Sequence, residues 1–311
     1  MADKTYNDIL FSVEGGVATL ALNRPKALNA LYAPINEEIM DALKTVQADE
    51  SIRVLILTGL PKAFAAGADV KEMAEADPET ARKLASLAVE INNTLEALPI
   101  PTIAAVPGFA FGGGFEMALS CDFRIGGSRT TLAFPECGIG IIPGANGSAR
   151  VAAIVGPAKA KELVMLSDPA HPITGKQAYD MGLLNWYVTG DEEVFAQAKA
   201  AKAAYKEAKK SGDEAKIAEA KAANKAADNA AAQSEFDAIM AEANKVAARL
   251  VARPGKALAA AKAVIMKVTN DTVANGKIQE LDEFAALFAT HDQKEGMAAM
   301  IEKREPVFTN K

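Results

Sequence analysis

Short apolar runs alternate with amphipathic segments through roughly the first 190 residues of the chain. Residues 10–23, LFSVEGGVATLALN, predict a hairpin of two strands around the turn EGG. The runs IRVLILTG and PTIAAVPG are rich in β-branched residues and predict two buried strands. Between them, residues 79–97 carry apolar side chains at helical spacing, at Leu84, Leu87, Ile91 and Leu95. Because strands alternate with helices, this part of the chain is predicted to be α/β.

Further elements fill the intervals between these strands and helices. Pro34 suits the first position of a helix, whose body we expect over residues 34–43, and KAFAAGADVKEMAEA predicts a loop followed by a helix near Val70. We expect a loop over 108–114 and a short helix over 116–120. The runs FRIGG and TLAF predict short strands, and residues 144–155 contain the start of another helix.

The pattern changes after Val188, where alanine, lysine and glutamate dominate residues 195–233. All three are strong helix formers, and SGD at 211–213 breaks the run, with Asp213 able to cap a second helix. The last 110 or so residues are therefore predicted to be all-helical. Since residues 197–233 hold few large apolar side chains, they predict a solvated helical hairpin, or alternatively a docking surface for another subunit.

Composition and charge exclude several classes of function. The chain has 311 residues, 50% of them hydrophobic, and a formal net charge of −6. This acidic balance argues against nucleic acid or an anionic membrane as a partner. Residues 1–10 lack the pattern of a signal peptide, and no run reaches the roughly 18 apolar residues of a membrane span. With only two cysteines, Cys121 and Cys137, a disulfide framework is not expected, so we predict a cytoplasmic protein.

The histidines argue against two common kinds of catalytic site. His171 and His291 lie at no metal-ligand spacing from each other or from a cysteine, so we expect no metal site. Neither has the G-x-S-x-G partner of a serine triad. Carboxylates and backbone groups are therefore the expected agents of any chemistry.

Two small-residue loops, FAAGADVKE and FGGGFEMAL, each follow a buried strand and precede a helix. A helix N-terminus leaves backbone N–H groups unpaired, so two such ends aimed at one point would form an oxyanion hole. Ala68 and Gly113 are the candidate donors. A tight turn that merely lets a strand pack on a helix explains the glycines equally well. A dinucleotide site is disfavoured because the segment lacks G-x-G-x-x-G.

Two acids lie within apolar surroundings, Glu116 in the glycine segment and Glu136 in LAFPECGIG. They are 20 residues apart, across a short helix and a strand, which allows both to return to one end of the structure. Two carboxylates facing one cavity can divide the roles of acid and base. Each could instead be a partly exposed acid or a salt-bridge partner.

Taken together, four segments resemble the enoyl-CoA hydratase/isomerase family, the crotonase superfamily. They are VATLALNRPKALNAL, LTGLPKAFAAGADVKEM, PTIAAVPGFAFGGGFEMALSCD and FPECGIGIIPGANG, and the tail FAALFATHDQKEGMAAMIEKREPVF is similar to that family's C-terminal helices. The resemblance spans about residues 8–195 and 236–308. It implies a crotonase-like spiral of ββα units over 1–195 that holds the CoA thioester. It also implies a helical oligomerisation domain over 196–311, with an insertion at about 197–233.

The resemblance also implies an activity, the reversible hydration of a 2-enoyl-CoA, in a homotrimer or hexamer. Ala68 and Gly113 match the donors that hold the thioester oxygen, and Glu116 and Glu136 match the two catalytic glutamates. CoA is part of the substrate, so no cofactor or metal is expected. The implied CoA contacts are Lys26, Ala27, Leu28, Ala66, Ala68, Asp69, Val70, Lys71, Gly113 and the tail lysine Lys303.

Two alternatives remain within this resemblance. The isomerases of the family usually need only the acid at Glu136, so the presence of Glu116 argues against isomerisation of a 3-enoyl-CoA. The unusual insertion leaves a non-catalytic CoA-binding assembly subunit as a further alternative. The chain departs from the family's pattern at Asn146 and Ala149, in GANGSAR, and at Met300, where an aromatic is common. Acyl chain length, stereochemistry and pathway are not specified.

Overall fold

The computed structural model describes residues 5–166, 170–253, 255–263, 265–266 and 284–307. The strands are β1 Ile9–Glu14, β2 Val17–Leu22, β3 Val54–Thr58, β4 Ala63–Ala65, β5 Thr102–Val106, β6 Phe109–Phe111, β7 Phe123–Gly127, β8 Thr131–Ala133, β9 Ile173–Thr174 and β10 Trp186–Val188. The helices are α1 Ala33–Ala48, α2 Val70–Met73, α3 Pro78–Ala97, α4 Gly113–Leu119, α5 Gly147–Met165, α6 Gly175–Asp180, α7 Glu192–Ser211, α8 Glu214–Val251 and α9 His291–Glu302.

The larger sheet has the strand order β1-β2-β3-β5-β7-β10. Only the β1–β2 hairpin is antiparallel, as expected from its two-glycine turn, and the remaining neighbours are parallel. Successive side chains of a strand face opposite sides, so β3 contributes to two cores. Leu55 and Leu57 pack towards α1 and α3, whereas Val54 and Ile56 pack towards α8. All five residues of β3 are buried, as the β-branched run predicts.

The smaller sheet has the order β4-β6-β8-β9. β4, β6 and β8 are parallel to one another, and β9 is antiparallel to β8. The carboxyl ends of three parallel strands therefore meet at one edge. Each of these strands is followed by a segment that contains a residue predicted to act as an N–H donor or a catalytic acid.

The structure corrects the prediction around the three glycines. The loop predicted over residues 108–114 is interrupted, because Phe109–Phe111 form β6 by pairing with β4 and β8. α4 begins at Gly113 rather than at Glu116. α1 also extends beyond the predicted residues 34–43, to Ala48, since Met40, Leu43 and Val46 continue its buried face.

The predicted helical hairpin is present as α7 and α8. Asp213 caps α8, because its carboxylate accepts hydrogen bonds from the backbone N–H groups of Ala215 and Lys216. No residue of α7 is buried, which agrees with a solvated hairpin. No helix in the described ranges is both long and apolar enough to cross a membrane.

The second half of α8 is anchored to the sheet by Glu235. This side chain is 2% exposed and accepts hydrogen bonds from the Arg129 backbone N–H, at 2.8 Å, and from the Ser128 hydroxyl. Burial raises the pKa of the Glu235 carboxyl. The anchor places α8 against the larger sheet, beside the residues predicted as the α/β core. The domain boundary at 195 and the oligomerisation role of residues 196–311 remain predictions.

Candidate active site

Three loops leave the smaller sheet at the same edge. β4 leads to Ala68, β6 leads to Gly112 and α4, and β8 leads to Pro135 and a short 3-10 helix, Glu136–Ile139. Parallel pairing therefore collects both predicted donors and both predicted glutamates. All four line one cavity of about 570 Å³, a volume typical of a small-molecule site.

The backbone N–H groups of Ala68 and Gly113 lie close together. A Cβ built on Gly113 would be 3.7 Å from Ala68 N, and one built on Gly67 would be 3.6 Å from Gly113 N. Leu31 forms a parallel bridge to Ala68 through hydrogen bonds of Gly67 O and Asp69 N, which directs the Ala68 N–H away from Leu31.

Neither of these two N–H groups is a donor in any backbone hydrogen bond of the described residues. Gly113 is the first residue of α4, where a helix offers its N–H no internal partner. Two such donors beside a cavity can hold a carbonyl oxygen and stabilise negative charge that develops on it.

Glu116 lies in the first turn of α4 and is 3% exposed. Its Oε1 accepts hydrogen bonds from the backbone N–H groups of Ala145 and Gly147, both at 2.8 Å. Burial raises the pKa of the Glu116 carboxyl, although these two N–H groups and the charge of Arg150 act in the opposite direction. A carboxylate with a raised pKa is a better proton acceptor near neutral pH than an exposed one.

The loop that holds Glu116 is itself held by side chains from α3 and α5. Arg150 donates to Ala145 O at 3.0 Å, and its guanidinium makes two 2.8 Å hydrogen bonds to the Glu96 carboxylate. Asn92 Nδ2 donates to the same carbonyl at 2.9 Å. Asn146 is fully buried in the left-handed region, at φ 73°, which asparagine tolerates better than most residues. This explains how an asparagine can occupy a left-handed position in this loop.

Glu136 reaches the cavity from the short 3-10 helix after β8 and is 7% exposed. Its carboxylate passes directly over Gly112, where a Cβ would lie 2.6 Å from Glu136 Oε1. Gly112 also has a φ of 48°. Glycine is therefore required here both for its backbone conformation and for the space that Glu136 occupies.

The predicted CoA contacts fall into two groups. Beyond the two donors, Ala66, Asp69 and Val70 line the cavity, whereas the other predicted contacts, Lys26, Ala27, Leu28, Lys71 and Lys303, do not. Leu28 lies next to a lining residue, because its carbonyl accepts the Ala66 N–H at 3.1 Å. The departure noted at Met300 also falls on this cavity.

Asp69 and Lys303 have local structural roles that the sequence did not reveal. The Asp69 carboxylate caps α2 and pairs with Arg24 at 3.1 Å. Lys303 is exposed at the end of α9, with a left-handed backbone. The predicted CoA contacts of both residues stay predictions.

Sequence reasoning missed the polar residues behind and beside the glutamates. Asn36 and Asn92 line the cavity, and Arg150 holds the loop of Glu116. Asn36 and Asn92 each have a buried amide oxygen that finds no hydrogen-bond partner among the described residues, a condition that costs about 1–3 kcal/mol. Both asparagines fall on the apolar faces of predicted helices. A polar residue at such a position is unusual and could have identified both asparagines from the sequence.

The architecture and site define an α/β protein that presents paired backbone donors and two buried carboxylates to one cavity. Comparison with known proteins shows to which family the chain belongs. The family model described as enoyl-CoA hydratase/isomerase matches residues 12–244 and 237–311. The chain belongs to this family, as the sequence resemblance implied.

Curated relatives are similar over nearly the whole chain. A crotonyl-CoA hydratase of Syntrophomonas wolfei is 33% identical over 307 residues, which cover 98% of this chain and 99% of the relative. A short-chain-enoyl-CoA hydratase of Clostridium acetobutylicum is 32% identical over 300 residues, which cover 96% of each chain.

Solved structures agree with the fold. An enoyl-CoA hydratase of Bacillus anthracis, 27% identical, superposes with a TM-score of 0.67 and covers 98% of this chain and 100% of that one. An enoyl-CoA hydratase of Mycobacterium avium subsp. paratuberculosis, 24% identical, superposes with a TM-score of 0.74 and covers 98% of this chain and 100% of that one. The mixed sheets with parallel strands and the helical C-terminal part match the crotonase fold.

Proposed function

We propose that this protein catalyses the reversible addition of water to a 2-enoyl-CoA, which gives a 3-hydroxyacyl-CoA. The observation that carries the proposal is the position of Glu116, buried in the same cavity as the two N–H donors of Ala68 and Gly113. The relatives named crotonyl-CoA hydratase and short-chain-enoyl-CoA hydratase support the same reaction.

In this proposal the thioester oxygen lies between the N–H groups of Ala68 and Gly113. The two donors withdraw electrons from the conjugated system, which makes C3 electrophilic, and stabilise the enolate that forms when C3 is attacked. One such donor contributes about 3 kcal/mol to transition-state stabilisation. Because neither donor is engaged by the rest of the described structure, binding the oxygen breaks no existing hydrogen bond.

The two glutamates divide the proton transfers. Glu116 orients a water molecule and takes its proton as the oxygen forms a bond to C3, a role that its raised pKa favours. Glu136, protonated at the start of the cycle, supplies the proton that C2 receives as the enolate collapses. The proton that Glu116 took from water then passes through solvent to Glu136, which restores both side chains. The C2=C3 π bond is lost, one water is consumed, and in the reverse direction a 3-hydroxyacyl-CoA is dehydrated. The balance of atoms needs only water in addition to the substrate, so the proposal includes no cofactor.

The finer features carried by the resemblance are proposals as well. The chain is proposed to form a homotrimer or a hexamer, to act in the cytoplasm in fatty acid β-oxidation, and to hold CoA along the loop at Leu28 and through Lys303. The position of Leu28 beside Ala66 supports the path of CoA. Analytical ultracentrifugation of the purified protein tests the oligomeric state.

A spectroscopic assay tests the activity. Purified protein with crotonyl-CoA is expected to remove the absorbance of the conjugated thioester, and mass spectrometry is expected to find the product one water heavier. The same protein with a 3-enoyl-CoA tests the isomerase alternative. Conversion of the 3-enoyl-CoA to the conjugated thioester, without hydration of crotonyl-CoA, would show that the protein is an isomerase.

A further inference from the structure

We propose that Arg24 is a positioning residue for the oxyanion hole, because its guanidinium holds the backbone that carries the Ala68 N–H. The inference rests on the proposed function, in which this N–H binds the thioester oxygen, and it adds a residue to that function. The sequence resemblance assigns CoA contacts to residues 26–28 and gives no role to Arg24.

The backbone that leads to Ala68 is held by a segment that belongs to neither sheet. β4 is an edge strand of the smaller sheet, next to β6. Residues 28–31 hold it from outside the sheet. The fully buried Asn29 donates from Nδ2 to the carbonyl oxygens of Ala63 and Phe64, both at 3.0 Å. The position of β4 therefore depends on this segment as well as on strand pairing.

The same segment fixes the direction of the Ala68 N–H. This N–H shares a planar peptide unit with the carbonyl of Gly67, and in a trans peptide the two groups point in opposite directions. Leu31 donates its N–H to Gly67 O at 2.8 Å, and Leu31 O accepts the Asp69 N–H at 2.8 Å. A shift of Leu31 would therefore turn the peptide unit that carries the donor.

The Arg24 side chain ties the two sides of this contact together. Its Nη1 donates to Ala30 O at 3.0 Å and to the Asp69 carboxylate at 3.1 Å. Ala30 precedes Leu31, and Asp69 follows Ala68, so one guanidinium nitrogen joins the residues next to the contact on both sides. Its loss would leave the hydrogen bonds of Leu31 as the main link between the segment and the donor.

Arg24 is itself fixed at its backbone and at its guanidinium. Its backbone N–H donates to Asn29 Oδ1 at 2.8 Å. Its guanidinium carbon lies 4.0 Å from the centre of the Tyr32 ring, a distance at which a cation is attracted to an aromatic face. The guanidinium is thus held in one place, as a positioning group requires.

The charge of Arg24 acts in the same direction as its hydrogen bonds. Asp69 directly follows the donor residue and lines the cavity. An uncompensated carboxylate there would oppose the negative charge that develops on the thioester oxygen. The side chains of Arg24 and Asp69 are 24% and 23% exposed, so water screens this carboxylate only in part if Arg24 is removed.

Infrared spectroscopy and kinetics test the proposal on the full-length protein. Butyryl-CoA has no double bond to hydrate, and the stretching frequency of its ¹³C-labelled thioester carbonyl falls as hydrogen bonds to the oxygen strengthen. Wild type is expected to lower this frequency relative to free butyryl-CoA, and Arg24→Met is expected to lose at least half of the shift. Arg24→Met is also expected to reduce kcat for crotonyl-CoA about tenfold with a smaller effect on KM, a loss below the roughly 100-fold that removal of a whole donor causes.

Three further variants complete the test. Arg24→Lys keeps the charge and is expected to recover most of the shift and of kcat. Arg24→Gln removes the charge but stays polar, so it replaces Arg24→Met if that variant fails to fold, with the same expected losses. Arg53→Met is the matched control, since Arg53 also donates to a backbone carbonyl, that of Arg253 at 2.8 Å, but lies outside the cavity lining. It is expected to keep the wild-type shift and kcat.

The outcomes separate this inference from the proposed function. A wild-type carbonyl frequency in the folded Arg24→Met or Arg24→Gln protein would overturn the inference, and so would a loss confined to KM or an equal loss in Arg53→Met. Absence of any shift in wild type would overturn it too. Failure of wild type to hydrate crotonyl-CoA would overturn the proposed function, whereas the infrared shift, which needs no turnover, would still decide the role of Arg24.

Discussion

Gly147 donates its backbone N–H to Glu116 Oε1 at 2.8 Å, and the space that a Cβ of Gly147 would need is occupied by Glu116 Cγ, 2.6 Å away. Gly147 thus donates a hydrogen bond to Glu116 and, because it has no side chain, leaves room for Glu116 to pack against it. The carboxylate is thereby fixed at one oxygen, and its other oxygen lies on the side of Gly113, 3.8 Å from a Cβ built there. This relationship explains how a buried acid is held in one position beside the cavity.

Gly112→Ala is expected to reduce kcat/KM with crotonyl-CoA about 100-fold, because a Cβ would lie 2.6 Å from Glu136 Oε1 and displace that carboxylate. Gly212→Ala is the matched control. Gly212 also has a positive φ, of 68°, but a Cβ there meets nothing within 4 Å. The control is expected to lose about 1 kcal/mol of stability and to keep its activity. Equal losses of activity in the two variants would contradict the proposed contact with Glu136.

Arg150→Met is expected to move the acid limb of the kcat/KM profile to higher pH. The charge of Arg150 lowers the pKa of Glu116, so its removal raises that pKa further, and the carboxylate form of Glu116 then requires a higher pH. Arg150→Lys keeps the charge, and its limb is expected to remain nearer to that of wild type. An acid limb that stays in place in Arg150→Met would remove Glu116 from the role of base.

The free energy of unfolding of Glu116→Gln minus that of wild type is expected to become more positive as pH rises. The folded-state pKa of Glu116 lies above the ordinary value of 4.5, so the folded protein binds this proton more tightly than the unfolded chain. Wild type therefore loses stability as pH rises from 4.5 through the raised pKa, and the glutamine variant does not. Urea unfolding of both proteins at several pH values measures the difference. A difference that shrinks as pH rises would have the wrong sign.

Shortening the α7–α8 hairpin is expected to leave hydration nearly unchanged. Residues 201–224 can be replaced by a short glycine turn, because α7 has no buried residue and the buried positions of α8 begin at Ala231. The ion pairs of Asp228 with Lys62 and Arg129, at 3.1 and 2.6 Å, remain. Turnover and the number of subunits in the assembled protein are measured separately. A changed number of subunits with unchanged turnover would assign the hairpin to assembly, whereas lost turnover in a folded variant would contradict its solvated role.

The sequence predicted most elements of the fold because their hydrophobic periodicity is regular. β3 and α3 were located in this way, and the alanine-lysine segment was predicted as a solvated helical hairpin because it has few large apolar residues. β6 escaped prediction because three residues between glycines carry no period of their own. Its strand conformation comes from pairing with β4 and β8, which are distant in sequence.

The candidate site was predicted only in part, for a related reason. Glu116, Glu136, Ala68 and Gly113 belong to local motifs, and the structure brings all four to one cavity. Asn92 contacts Ala145 and Arg150 contacts Glu96, in each case across more than 50 residues of sequence, and no local pattern indicates these contacts. Contacts of Lys303 with CoA depend on the bound substrate, so they remain predictions.

The two glutamates carry the proposed chemistry, and one measurement tests them directly. Wild type, Glu116→Gln and Glu136→Gln are compared for hydration of crotonyl-CoA at saturating substrate, with binding of a saturated acyl-CoA measured by calorimetry on the same samples. Each variant is expected to bind the acyl-CoA nearly as tightly as wild type and to lose hydration by at least about 100-fold. Hydration at the wild-type rate by either folded variant would contradict the proposed roles of these acids.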